Sequence, residues 1–158
     1  MLKSGSLTGK TIIITGGGTG LGKSMGKYFL ELGANLVITS RKLDVLQNTA
    51  SEMMRESSGK VLALPCDVRK YEEVEKVIKQ SEEEFGQVSG VINNAAGNFI
   101  SPTERLSHRA FDIVVDIVLK GTYYTTLAAG KNWISKNQPG TFLNIVTTYA
   151  WSRVLMLT

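Results

Sequence analysis

The sequence predicts an α/β fold, a doubly wound parallel sheet with helices on both faces. Three observations predict it. Short apolar, β-branched runs alternate with longer stretches of helical period, the pattern of strands joined by right-handed crossover helices. A glycine-dense turn stands directly between the first such run and the first helix. The 158 residues, 42% of them apolar and 20% charged, are enough for one packed domain, and no linker, repeat or low-complexity tract divides them.

The first element is the run Thr11 to Thr15 with its Ile-Ile-Ile centre, which stops at Gly16, Gly17 and Gly18 as a buried parallel strand entering a tight turn does. From Gly20 the chain reads helical, with Leu21, Met25, Phe29 and Leu32 at helical spacing and Gly33 as the stop. Ala34 to Thr39 is the second strand. Leu43 to Glu56 is the next helix, carrying Leu43, Leu46, Ala50, Met53 and Met54, and it ends in Ser57, Ser58 and Gly59. Val61 to Leu64, closed by Pro65, is the third strand. Tyr71 to Phe85 is an acidic helix with Val74, Val77, Ile78 and Phe85 on one side. Val88 to Asn93 is the fourth strand. Phe111 to about Ser135 is expected to be the longest helix, with Gly121 weakening its middle by roughly 1 kcal/mol relative to Ala. Thr141 to Thr147 is the fifth strand.

Composition excludes several classes of function. Mean hydropathy is close to zero, and the longest apolar run is far short of the ~18 to 20 residues that span a bilayer, so no membrane span is expected. One cysteine, Cys66, cannot bridge internally and is read as a small buried residue. Lysine plus arginine exceed acidic residues by four. That excess suits an anionic small partner, and without basic runs interleaved with aromatics it does not point to nucleic acid. No cluster of His, Cys, Asp and Glu has metal-ligand spacing, and His108, the single histidine, reads as a surface residue near a helix start. Met1 to Lys10 shows no presequence, and Val154 to Thr158 shows no peroxisomal tripeptide.

The turn Thr15-Gly16-Gly17-Gly18-Thr19-Gly20-Leu21-Gly22 spaces Gly16, Gly20 and Gly22 as G-x-x-x-G-x-G between a strand and a helix. A pyrophosphate there would meet bare backbone and the N–H groups of a helix N-terminus, so dinucleotide binding is expected of Gly16, Thr19, Gly20, Leu21 and Gly22, in a Rossmann-like architecture. At the end of the second strand, where an acidic residue would hold the 2′-hydroxyl of NAD, stand Arg41 and Lys42. Two cations suit the 2′-phosphate of NADP(H); the plainer alternative is a solvated helix start. Asp67 or Val68, after the third strand, is placed to reach an adenine amino group, and Asp67 alternatively caps the next helix.

The glycine turn, Asp67-Val68 and Asn93-Asn94-Ala95-Ala96-Gly97 together resemble the short-chain dehydrogenase/reductase superfamily, over residues 7 to 150. The strings from Ala95 to Ser107 and from Asp116 to Thr122 resemble its NADPH-dependent 2,4-dienoyl-CoA reductases, particularly the mitochondrial type. Val118 fits that branch, because it stands where most of the superfamily has a catalytic Asn. The resemblance implies that Asn94, Ala95 and Gly97 help hold the cofactor and that Asn98 and Tyr149 contact substrate. It implies reduction of a 2,4-dienoyl-CoA to a 3-enoyl-CoA in fatty-acid β-oxidation, on a fatty acyl-CoA, in enzymes that are homo-oligomers when full length. Hydride arriving at the δ-carbon pushes charge to the thioester oxygen, and two hydrogen-bond donors aimed at that oxygen lower the barrier. Without the resemblance, Asn98 reads as a turn residue and Tyr149 as a core or edge aromatic.

The superfamily's lysine, four residues after a tyrosine on the helix following the fifth strand, has no counterpart. None of Tyr28, Tyr71, Tyr123, Tyr124 and Tyr149 is so followed, and residues 151–158 do not resemble the family. The chain is therefore expected to be an incomplete reductase, its sheet truncated after about the fifth strand, with an atypical tail of spliced or frame-shifted origin. The resemblance points to the mitochondrion, while a chain without a presequence suits the cytoplasm. Two other functions stay open: a catalytically inactive nucleotide-binding or dimerising fragment, and a reductase of another enoyl-CoA or a ketone.

Overall fold

The computed structural model describes residues 2–147. Five parallel strands form one sheet in the order β3-β2-β1-β4-β5: β1 (Thr11–Thr15), β2 (Asn35–Ser40), β3 (Val61–Pro65), β4 (Val88–Asn93) and β5 (Thr141–Asn144). The helices between them are α1 (Gly20–Glu31), α2 (Leu43–Glu56), α3 (Tyr71–Phe85), α4 (His108–Val115) and α5 (Gly121–Ser135). Winding runs outward from β1 to β3, then returns through α3 to β4 on the other side of β1. The strand order thus reverses between β1 and β4, and the carboxyl ends of these two strands flank the crevice where such sheets take ligands.

Period-two alternation along β1 splits the core. Ile12 and Ile14 face α1 and α2, packing with Leu36, Ile38, Leu46, Ala50 and Met53. Ile13 faces α3 and α5, packing with Val37, Val91, Val77, Ile78, Ala129 and Trp133. Every residue of β1 is buried, and burying one such isoleucine contributes roughly 1.5–3 kcal/mol. Trp133 anchors α5, its Nε1 donating to the Val88 carbonyl at 2.7 Å while its ring lies 4.7 Å from that of Phe142.

The helix faces differ from the expected stripes. In α1 the buried positions are Gly22, Gly26 and Leu30, and Leu21 is 56% exposed. A Cβ at residue 26 would stand 2.8 Å from Leu36 Cδ2, so glycine lets the helix lie close on the sheet. In α2 the buried face is Leu46, Thr49, Ala50 and Met53, leaving Leu43 and Met54 exposed.

The helix expected from Phe111 begins at His108, where Ser107 Oγ caps it by accepting the Ala110 N–H at 3.1 Å. A short 3₁₀ turn, Thr103–Arg105, precedes it. Five residues of π-helix, Asp116–Lys120, then lead into α5. Gly121 is not merely a weak point in this helix, because a Cβ there would come within 2.6 Å of Val68 Cγ2. β5 stops at Asn144, three residues before the expected Thr147, although Ile145 N–H still donates to the Asn93 carbonyl.

Candidate functional site

The turn after β1 is fastened on three sides. Gly16 takes φ +67°, a conformation that L-residues with side chains rarely adopt, and its N–H donates to the Thr39 carbonyl at the end of β2 at 2.7 Å. Thr49 of α2 donates its hydroxyl to the Gly18 carbonyl at 2.7 Å. On the third side, the buried Thr15 hydroxyl accepts the N–H groups of Asn94 and Ala95, each at 3.0 Å, and donates to the Ile92 carbonyl. Asn94 Nδ2 donates back to the carbonyls of Thr15 and Gly16.

These fastenings shape a cleft of about 530 Å³ at the carboxyl ends of the strands. Of the expected cofactor residues, Gly16, Thr19, Gly20, Leu21, Arg41, Lys42, Asp67, Val68, Asn94 and Ala95 line it. Gly22 and Gly97 do not. Gly22 lies behind the turn, where a Cβ would meet the Gly16 carbonyl oxygen at 2.5 Å. Gly97 sits behind Ile117, with a Cβ position 3.2 Å from Ile117 Cδ1. Both therefore shape the wall from outside it. Val45 and Ile117 are wall residues that the sequence reading did not single out. Ile117 comes from the π-turn and Val45 from the first turn of α2, so helix placement brings them in and no motif announces them.

Charge in the cleft is arranged for an anion. α1 opens on it with no side-chain cap at Thr19 and no acidic residue in its first turn, leaving the helix's N-terminal N–H groups and partial positive charge unneutralised. At the rim of β2, Arg41 and Lys42 are exposed, and among the described residues neither is ion-paired. A dinucleotide phosphate fits these residues: the bare backbone of Gly16, Gly18 and Gly20, a helix N-terminus, and two cations without an ion-pair partner among the described residues. The Arg69 guanidinium beside Asp67 holds that carboxyl below its usual range, outweighing burial. Asp67 does not cap α3, whose N-cap is Lys70; its own N–H instead donates to Glu73 Oε2 at 2.8 Å. Burial pushes the Cys66 thiol up to about 11, so it is neutral and a poor nucleophile.

Asn98 is exposed in the loop after β4 and does not line the cleft. Tyr149 and residues 151–158 lie outside the described residues. Among the described residues no group of three or more His, Cys, Asp and Glu is placed to hold a metal, and no helix is long and apolar enough to cross a membrane.

The family profile described as short chain dehydrogenase matches residues 10–156. A probable 2,4-dienoyl-CoA reductase of Bacillus subtilis (strain 168), of the (2E)-enoyl-CoA-producing type, is 41% identical over 90% of this chain and 56% of its own length. A probable 2,4-dienoyl-CoA reductase 3 of Caenorhabditis elegans, (3E)-enoyl-CoA-producing, is 38% identical over 96% of this chain and 50% of its own. The chain spans about half the length of these curated relatives. The crystal structure of a short chain dehydrogenase from Bacillus anthracis superposes with a TM-score of 0.86 at 44% identity, over 91% of this chain and 59% of that one. An alcohol dehydrogenase from Thermococcus sibiricus, complexed with 5-hydroxy-NADP, superposes with a TM-score of 0.84 at 28% identity, over 92% of this chain and 61% of that one.

Proposed function

The chain belongs to the short-chain dehydrogenase family, and from that premise we propose that it is the nucleotide-binding portion of an NADPH-dependent 2,4-dienoyl-CoA reductase. The observation that carries the cofactor choice is the pair of unpaired cations, Arg41 and Lys42, on the rim of a cleft whose other end is a bare helix N-terminus. In this reading the α1 N-terminus and the Gly16–Gly20 backbone hold the pyrophosphate, and Arg41 and Lys42 hold the 2′-phosphate. Asp67 and Val68 flank the adenine, while Asn94 keeps the turn in place. Bound NADPH supplies hydride to the δ-carbon of the dienoyl thioester.

Asn98 and Tyr149 are proposed to donate hydrogen bonds to the thioester oxygen as negative charge arrives there. Protonation at Cα then gives a 3-enoyl-CoA, and protonation at Cγ gives a 2-enoyl-CoA. Relatives named for each product exist, and the string resemblance favours the 3-enoyl product, on fatty acyl-CoA in mitochondrial β-oxidation. A second reading, nucleotide binding without turnover by this chain, is favoured by the position of Asn98, exposed and away from the cleft wall.

One experiment separates the two. The 158-residue chain is titrated with NADPH by nicotinamide fluorescence, then given 2,4-hexadienoyl-CoA while NADPH oxidation is followed. Binding with steady oxidation supports the reductase, and binding alone supports the second reading. No binding by a chain shown folded by circular dichroism contradicts both.

A further inference from the structure

The two edges of the sheet are finished differently. At one edge, β3 starts beside Lys60 and ends on Pro65, which has no N–H to offer. A flanking charge and a proline are common means of keeping an edge from pairing. At the other edge, β5 has neither. It pairs with β4 alone among the described residues, and no charged side chain occurs between Lys136 and Arg153. Leu143, Ile145 and Val146 are 48%, 37% and 71% exposed, an apolar run of the kind that proteins rarely leave on an open edge.

Hydrogen bonding fixes which groups are free. Ile145 N–H donates to the Asn93 carbonyl, so strand alternation turns the main-chain groups of Leu143 and Ile145 towards β4 and those of Phe142, Asn144 and Val146 outward. The Asn144 side chain is held inward, its Oδ1 accepting Asn93 Nδ2 at 2.8 Å. Side chains alternate as well. Phe142 lies against Trp133 with Val146 on the same face, and Leu143 and Ile145 share the other.

These features suit a second copy of the same strand. Set antiparallel about a two-fold axis through Asn144, two β5 segments exchange the outward N–H and C=O groups of their Asn144 residues, and those of Phe142 pair with Val146 of the second copy. This register also places Leu143 directly opposite Ile145 of the second copy, in the closer kind of antiparallel pair. All three exposed apolar residues are covered at once, and the contact closes on itself. A segment without charge meets no like charge across the axis, whereas a partner strand carrying charges would find no counter-charge here.

We propose that β5 is a self-docking edge, through which two copies of this chain join their sheets by antiparallel β5 strands in that register. The proposal is independent of the cofactor reading.

The test is sedimentation equilibrium of the 158-residue chain and of Val146→Lys, each shown folded by circular dichroism. The wild-type chain is half dimeric below about 100 µM, and a lysine on the edge raises that midpoint at least about tenfold. Disulfide formation reads the register. An oxidised mixture of Leu143→Cys and Ile145→Cys chains gives a cross-linked dimer, while each variant alone gives little, because neither residue faces itself across the axis. A chain that stays monomeric at that concentration overturns the proposal, as does assembly that continues past the dimer. A dimer indifferent to Val146→Lys, or cross-linking no greater in the mixture than in the single variants, overturns it too.

Discussion

Gly22 shows how far spacing goes at the scale of a residue and where it stops. The G-x-x-x-G-x-G pattern marks the right turn, yet it assigns all three glycines to a phosphate. Gly16 and Gly20 do line the cleft, whereas Gly22 is packed behind it against the Gly16 carbonyl oxygen. Sequence spacing cannot distinguish a glycine needed for a ligand's approach from one needed for the chain's own. Gly22→Ala is therefore expected to destabilise the chain by ~1–3 kcal/mol, the usual penalty of overpacking, read as a lower urea midpoint, and to weaken NADPH binding by displacing Gly16. Cys66 makes a second residue-scale prediction. As the single cysteine, buried and held protonated, it should resist iodoacetamide at pH 8 in the native chain and react once urea unfolds it. Rapid native labelling would contradict that burial.

Among the elements, strands and helices with clear periods were legible, because period two and period 3.6 follow directly from which side chains must be buried. The π-turn at Asp116–Lys120 was not legible, since its residues carry no pattern that separates it from the α-helices on either side. Gly121 concentrates the difference. Propensity alone favours Gly121→Ala by ~1 kcal/mol, whereas contact with Val68 predicts a net loss of ~1–3 kcal/mol. Urea unfolding decides the sign. The α1–α2 pair makes a further prediction. Glu52 receives Lys23 at 2.6 Å and Lys27 at 2.8 Å, and Lys27 also meets Glu56 at 2.8 Å. These ammonium groups pull the Glu52 carboxyl from 4.5 down to about 2. With the native pKa depressed, the unfolded chain binds the proton more readily. The contribution is full above pH 4.5 and is lost as pH falls towards 2. The urea midpoints of wild type and Glu52→Gln should differ at pH 7 and converge near pH 2, and high salt should narrow the gap at pH 7.

For the whole molecule, alternation of strands with helices and the right-handed crossover rule were enough to foresee a parallel sheet. The crevice between β1 and β4 then follows from the strand order. Its wall was largely legible because short motifs at strand ends build it. Asn98 stands away from that wall, because the loop after β4 carries it outward, and Tyr149 lies outside the described residues. A ligand that binds only the folded chain raises its stability, by ~2.7 kcal/mol at a hundred times Kd, so saturating NADPH should raise Tm by about 5–10 °C for a chain of this size. Arg41 and Lys42 are proposed to make this an NADPH cleft. Calorimetric titration of the chain with NADPH and with NADH tests it most directly. NADPH is expected to bind at least about tenfold tighter, with the advantage lost in Arg41→Ala/Lys42→Ala while NADH affinity holds. Equal affinities, or tighter binding of NADH, would contradict it.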